Sequence, residues 1–148
     1  MAMIAIGNDH AGLELKAELI KLILSRGLEY KDYGTYTADS CDYPVYAKLV
    51  ANAVAAGEAD KGILICGTGI GMSIAANRIP GVRCALCGDT FSAEMTRLHN
   101  NSNVLALGAR VTGIGLALKI AETWLDTKFE DEGNPDGRHL RRVKMIEI

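Results

Sequence analysis

Three short runs in this chain are almost wholly apolar: Ile4-Ala5-Ile6, Ile63-Leu64-Ile65-Cys66 and Val104-Leu105-Ala106-Leu107. A strand with one wet face alternates polar and apolar residues. An unbroken apolar run needs cover on both faces, as in a parallel sheet sandwiched by helices. Strands are therefore expected at Met3–Gly7, Glu29–Tyr33, Gly62–Cys66, Val82–Cys87 and Val104–Gly108. Helical patterns separate them. Leu13, Ala17, Ile20 and Leu24 recur at helical spacing, Leu15, Leu19 and Ile23 widen the stripe, and Gly27 is placed to stop the helix. Further helices are expected from about Tyr43 to Ala56, from Ile70 to before Pro80, from Ser92 to Leu98 and from Thr112 to Thr127. A polar helix is expected over Arg138–Ile146. The alternation predicts an α/β fold: a doubly wound, five-stranded parallel sheet with helices on both faces, Rossmann-like, in one domain over 1–148.

Composition excludes several classes of function. A net charge of −2 leaves no basic face for nucleic acid. No apolar run approaches the ~20 residues of a membrane span. The segment Met1–Gly7 lacks the charged start and cleavage site of an export signal, so a cytoplasmic protein with four free thiols is expected. No metal-ligand cluster appears, and no Walker loop is present, so no metal and no cofactor is expected.

In open parallel sheets, ligands bind beyond the carboxyl ends of the strands. Reactive residues concentrate there. Gly7-Asn8-Asp9-His10-Ala11-Gly12 follows the first strand, and the loop after the second reaches Asp42-Tyr43-Pro44. Gly67-Thr68-Gly69-Ile70-Gly71 follows the third, and Gly108-Ala109-Arg110 the fifth. The glycine loop can turn backbone N–H groups toward a phosphate or a developing oxyanion, or it can be only a tight strand-to-helix turn. Cys66, just before it, can be a thiolate base or a small buried hydrophobe. Asp9 and His10 can bind a ligand, or cap a helix. His99 can cap the fourth helix at its carboxyl end. Arg138 and Arg142, four apart on a helix, can grip a dianion or line a wet surface. Cys84 and Cys87, three apart on a strand, point to opposite faces and suit neither a disulfide nor zinc. Cys41, in a polar loop, receives no role.

Together these segments, with Gly62 to Arg78, His99-Asn100, Asn103 to Arg110 and Gly137-Arg138-His139, resemble the type B ribose-5-phosphate isomerases and their allose- and galactose-6-phosphate relatives. The resemblance runs along the whole chain and implies an aldose–ketose isomerase acting on a sugar phosphate. It implies Cys66 as the base and a cis-enediolate intermediate. Met72 stands where some members carry a glutamate. Thr68 and His99 correspond to ring-opening residues, and the backbone of Gly67, Thr68, Gly69, Ile70 and Gly71 to the anion hole. Asp9, Tyr43 and Asn100 correspond to sugar contacts, and His10, Arg110, Arg138 and Arg142 to a phosphate clamp. It further implies a homodimer or tetramer with shared sites, the C-terminal helix at about 138–147 reaching toward a partner. The stretch 130–136 is longer than the usual lead-in to Gly-Arg-His. A six-carbon substrate and a non-catalytic sugar-phosphate-binding module are the alternatives.

Overall fold

The computed structural model describes residues 2–147. In chain order the elements are β1 (Met3–Asn8), α1 (Leu13–Ser25), β2 (Glu29–Asp32), α2 (Tyr43–Ala55), β3 (Lys61–Cys66) and α3 (Ile70–Ala76). They continue with β4 (Cys84–Leu86), α4 (Thr90–Asn100), β5 (Val104–Gly108), α5 (Ile114–Asp126) and α6 (Arg138–Ile146). The five strands are parallel in the order β2-β1-β3-β5-β4. The apolar runs β1, β3 and β5 hold the three central places, where both faces are covered.

Alternation along these strands divides the core. Ile4, Ile6, Ile63, Ile65, Leu105 and Leu107 pack on one face against Leu19, Ile23, Ile120 and Trp124 of α1 and α5. Ala5, Leu64, Cys66, Val104 and Ala106 pack on the other against Val50, Val54 and Met72 of α2 and α3. This is the doubly wound arrangement that the sequence implies. Among the described residues, no helix is long and apolar enough to cross a membrane.

The structure shifts some expected features. The buried line of α1 is Leu15, Leu19 and Ile23, while Ala17 and Leu24 are exposed. The helix rests on the sheet by the row that only widened the expected stripe. β4 is shorter than the apolar run Val82–Cys87, because Val82 closes a turn onto the Ile79 carbonyl. α3 stops at Ala76, where i→i−3 bonds from Arg78 and Ile79 tighten the chain before Pro80. α4 begins earlier than expected, because the Asp89 carboxylate caps it, accepting from Ser92 N at 2.6 Å.

Cys84 and Cys87 face opposite sides of the sheet, as their spacing requires. Burial, then the neighbouring Cys87, pushes the Cys84 thiol far up, and burial, then Asp89, pushes Cys87 up to about 11. Neither is a nucleophile at neutral pH.

Polar groups inside the fold act as pins. Lys16 Nζ donates to the Thr35 carbonyl at 2.6 Å and to Asp32 Oδ1 at 3.1 Å, tying α1 to the loop after β2. Lys61 is less well served. Burial, then the Arg97 charge, lowers its pKa to about 8 against 10.5 for a free lysine, and its ammonium lies 5.2 Å from the Trp124 ring centre. Between about pH 8 and 10.5 the unfolded chain holds this proton and the native chain does not, so stability contributed here rises with pH. Lys61→Met is therefore expected to stabilise the protein at pH 7, by about 1 kcal/mol after solvent screening. Denaturant melts at pH 7 and pH 9.5 check it: the gain of the variant over the parent should shrink at the higher pH.

Candidate active site

Cys66 is the last residue of β3, and its sulfur is nearly buried. The register that pairs Asn8 with Ile65 sets Asp9 beside Cys66, and Asp9 N donates to the Ile65 carbonyl at 3.0 Å. Asp9 Oδ1 accepts from Ala11 N at 2.9 Å, which fixes the carboxylate at the mouth of its loop. The glycine loop then folds over the sulfur. Gly69 N–H donates to Cys66 Sγ at 3.1 Å, and Ile70 N–H to Thr68 Oγ1 at 3.2 Å. Two donors expected for an anion hole are thus already engaged, one of them by the sulfur itself. The first helical bond of α3 is Ser73 N to the Gly69 carbonyl. Among the described residues no acceptor takes the N–H groups of Gly71 and Met72, which are left as open donors of the first turn of α3.

The loop's shape depends on glycine at two places. Gly69 has φ +79°, and a Cβ there would stand 2.9 Å from the Leu107 carbonyl carbon. At Gly108 a Cβ would stand 2.6 Å from the Thr68 carbonyl oxygen. Both clashes are with backbone, which cannot rotate aside. Gly108→Ala is expected to cost about 1–3 kcal/mol and to lower activity further by moving Thr68. Thermal melts beside kcat measurements check it.

Other side chains close around the loop. The Tyr43 ring lies against Gly71, with carbon Cε2 only 2.6 Å from where a side chain would begin. Arg110 lies over Gly67, its N–H donating to the Gly67 carbonyl at 2.9 Å. Across the β1 loop, His10 Nδ1 accepts from Cys41 N at 3.4 Å, with Cys41 Sγ at 3.8 Å. Cys41 thus orients His10, and Nε2 is the ring nitrogen that this contact leaves free. Asp9, His10, Tyr43, Cys66, the loop Gly67–Gly71 and Arg110 form one cluster at the carboxyl end of the sheet.

His99, Asn100, Arg138 and Arg142 lie elsewhere in the chain. α4 starts beyond the carboxyl end of β4 and runs back along the sheet, so its last residues reach the amino end. There the Asn100 carbonyl accepts from Arg83 Nε at 3.2 Å, just before β4. Five residues of strand span about 16 Å, so one chain does not bring His99 to Cys66. Arg138 and Arg142 share the exposed side of α6, whose buried side carries His139 and Val143. His99 stacks on His139, ring centres 4.3 Å apart. A cavity of about 480 Å³ lies at this end, lined in part by Asn100, Arg83 and Ser102. It stands far from the sulfur. His139 and Glu130, which surround His99, escape a reading of the sequence. The one signal is the i, i+4 pair His139 and Val143, set about 100° around the helix from the two arginines.

A family model for Ribose/Galactose Isomerase matches residues 4–146. The chain belongs to the ribose/galactose isomerase family. Among curated members of that family, "Ribose-5-phosphate isomerase B" of Escherichia coli is 49% identical over 146 residues, 99% of this chain and 95% of the relative. "D-erythrulose-4-phosphate isomerase" of Pectobacterium atrosepticum is 45% identical over 135 residues, 90% of this chain and 89% of the relative. The solved ribose-5-phosphate isomerase B of Clostridium thermocellum superposes with a TM-score of 0.92 at 49% identity, covering 97% of this chain and 94% of that one. The parallel α/β architecture described above is therefore that of solved members of the ribose/galactose isomerase family.

Proposed function

We propose that this protein interconverts ribose 5-phosphate and ribulose 5-phosphate in the cytoplasm, as a homodimer or as a tetramer of two such dimers. The observation that carries the reading is the sulfur of Cys66, held by Gly69 N–H beside the Asp9 carboxylate at the carboxyl end of the sheet. Cys66 thiolate takes the proton from C2 of the open-chain sugar, and charge moves onto the carbonyl oxygen as a cis-enediolate. The N–H groups of Gly71 and Met72 receive that charge. The thiol returns the proton to C1, so no electrons are stored. Asp9 and Tyr43 hold sugar hydroxyls, and His10 and Arg110 hold the phosphate.

The remaining groups come from the second subunit. Thr68 and the partner's His99 move the proton that opens the ring, the partner's Asn100 contacts the sugar, and the partner's Arg138 and Arg142 complete the clamp. Two features support this arrangement. One chain separates the two sets of residues by the height of the sheet. Val45, Leu49, Ile70 and Ile74 also leave an exposed apolar surface on α2 and α3, beside the glycine loop. Contiguous exposed apolar surface marks an association face.

Incubation with ribose 5-phosphate in deuterated water tests the reaction. Ketose with deuterium at C1 is expected by NMR, and a ligand that binds without exchange or ketose would leave only a binding module. Relatives of similar identity are named for four-carbon and five-carbon substrates. Comparing kcat/KM for four-, five- and six-carbon phosphates therefore fixes the sugar, with the five-carbon substrate expected to lead.

A further inference from the structure

The strongest unassigned cluster lies at the amino end of the sheet. One nitrogen from each of His99 and His139 and one carboxylate oxygen of Glu130 lie within 4.8 Å of one another. Glu130 Oε2 is 2.9 Å from His139 Nε2 and 3.8 Å from His99 Nε2. The shorter contact is not along the direction of a ring N–H. Among the described residues, His139 Nε2 therefore has no hydrogen bond, although its side chain is only 8% exposed. Buried polar atoms are nearly always satisfied, and one left open beside a carboxylate and a second imidazole points to a missing ligand.

The surrounding backbone is built to hold this arrangement. Glu130 N donates to the Leu98 carbonyl at 3.1 Å, which binds Glu130 to the last turn of α4. The next residue, Asp131, accepts from His139 N at 2.7 Å and Leu140 N at 3.0 Å, which binds it to the first turn of α6. Two adjacent residues thus clamp the two histidine-bearing helices together. The sequence holds no ligand cluster at short spacing, and the fold assembles one from positions 99, 130 and 139.

We propose that His99, Glu130 and His139 bind one divalent cation of the zinc class, and that its binding withdraws His99 from ring opening. Zinc bonds to nitrogen and oxygen run at about 2.0–2.1 Å, which separates tetrahedral ligands by about 3.3 Å. Glu130 Oε2 stands 2.9 and 3.8 Å from the two imidazole nitrogens, on either side of that spacing, and the whole set lies within 4.8 Å. The stacked imidazoles must splay, and His99, with its side chain 42% exposed, is free to tilt while His139 stays fixed. Two imidazoles and one carboxylate suit zinc, cobalt or nickel rather than calcium or magnesium, and leave a coordination position open. The inhibitory consequence rests on the role given to His99 above; the binding does not.

Full-length protein is titrated with Co²⁺, then Zn²⁺, and compared with Cys66→Ser, Glu130→Ala and the better-conserved shape Glu130→Gln. One Co²⁺ per chain is expected, absorbing as a tetrahedral nitrogen–oxygen site without sulfur charge transfer, and displaced by Zn²⁺. Cys66→Ser should keep it. Losing a group that only orients a ligand costs about 10–100-fold in affinity, so losing Glu130 itself is expected to cost about 100-fold. Zn²⁺ should slow isomerisation at the concentration that fills the site, with about 100-fold more needed in the Glu130 variants. Equal affinity in the parent and both Glu130 variants, no binding at all, or a sulfur band that vanishes in Cys66→Ser would overturn the site. Glu130-dependent binding that leaves turnover untouched upholds the site and removes His99 from ring opening.

Discussion

Cys66→Ala is expected to lower kcat about 10³-fold, within the range that a positioned base contributes, while the protein stays folded and binds sugar phosphate. The structural cost is small because the sulfur is a modest part of the core on the α2 and α3 side. What is lost is a little volume and the acceptor for Gly69 N–H. Together these are worth about 1–2 kcal/mol, or roughly 2–8 °C in Tm for a chain of this length. Cys66→Ser separates chemistry from structure. Its hydroxyl can still accept from Gly69 N–H, so stability should recover, but a serine hydroxyl is a far weaker base and turnover should stay low. KM near the parent's is expected for both, since the phosphate clamp is untouched. Turnover within tenfold of the parent in either variant would take the proton transfer away from this sulfur.

Much of this arrangement was legible in the sequence, for physical reasons. The three apolar runs could be satisfied only at the centre of a covered parallel sheet. The carboxyl-end rule then brought Asp9, Tyr43, Cys66, the glycine loop and Arg110 to one place, and the structure puts them there. The edge strand was read less well. Val82 is apolar because it packs against the core while its N–H closes a turn, and Cys87, among the described residues, keeps only one backbone bond, to the Ala106 carbonyl, so hydrophobicity overstated β4. The position of His99 follows from topology. A helix of eleven residues starting beyond a strand's carboxyl end is about 16 Å long and ends near the other edge of the sheet. The neighbours of His99 were not legible. Glu130 lies in a stretch without periodicity, and it meets His99 and His139 through its own bond to the Leu98 carbonyl and the capping bonds of Asp131. Nor was Lys16, whose burial depends on a carbonyl of the loop after β2 that no local pattern announces. Local pattern reports which surface a residue prefers; it does not report which distant group completes its hydrogen bonds.

If active sites are shared across a two-fold axis, two inactive variants should rescue each other. Cys66→Ala and His99→Asn protein, each purified alone, are expected to be almost inactive, the first at proton abstraction and the second at ring opening. Mixed under conditions of subunit exchange, half of the dimers become hybrids. In a hybrid, one site carries both lesions and the other carries neither. Recovery of about one quarter of parental activity per chain is therefore expected, which follows from an isologous dimer with one sulfur and one imidazole contributed from opposite subunits. The comparison is strongly discriminating, because sites confined to one chain give no recovery whatever the mixing. Native mass spectrometry of differently sized tags verifies that hybrids have formed, and the rate is then read per hybrid. A second readout uses an acyclic substrate, which needs no ring opening. His99→Asn should turn it over far better than ribose 5-phosphate, whereas Cys66→Ala should fail on both. Hybrids without recovery would overturn the sharing of sites between subunits, and a His99→Asn protein as active as the parent would leave the stacked pair His99 and His139 with a structural or metal-binding role alone.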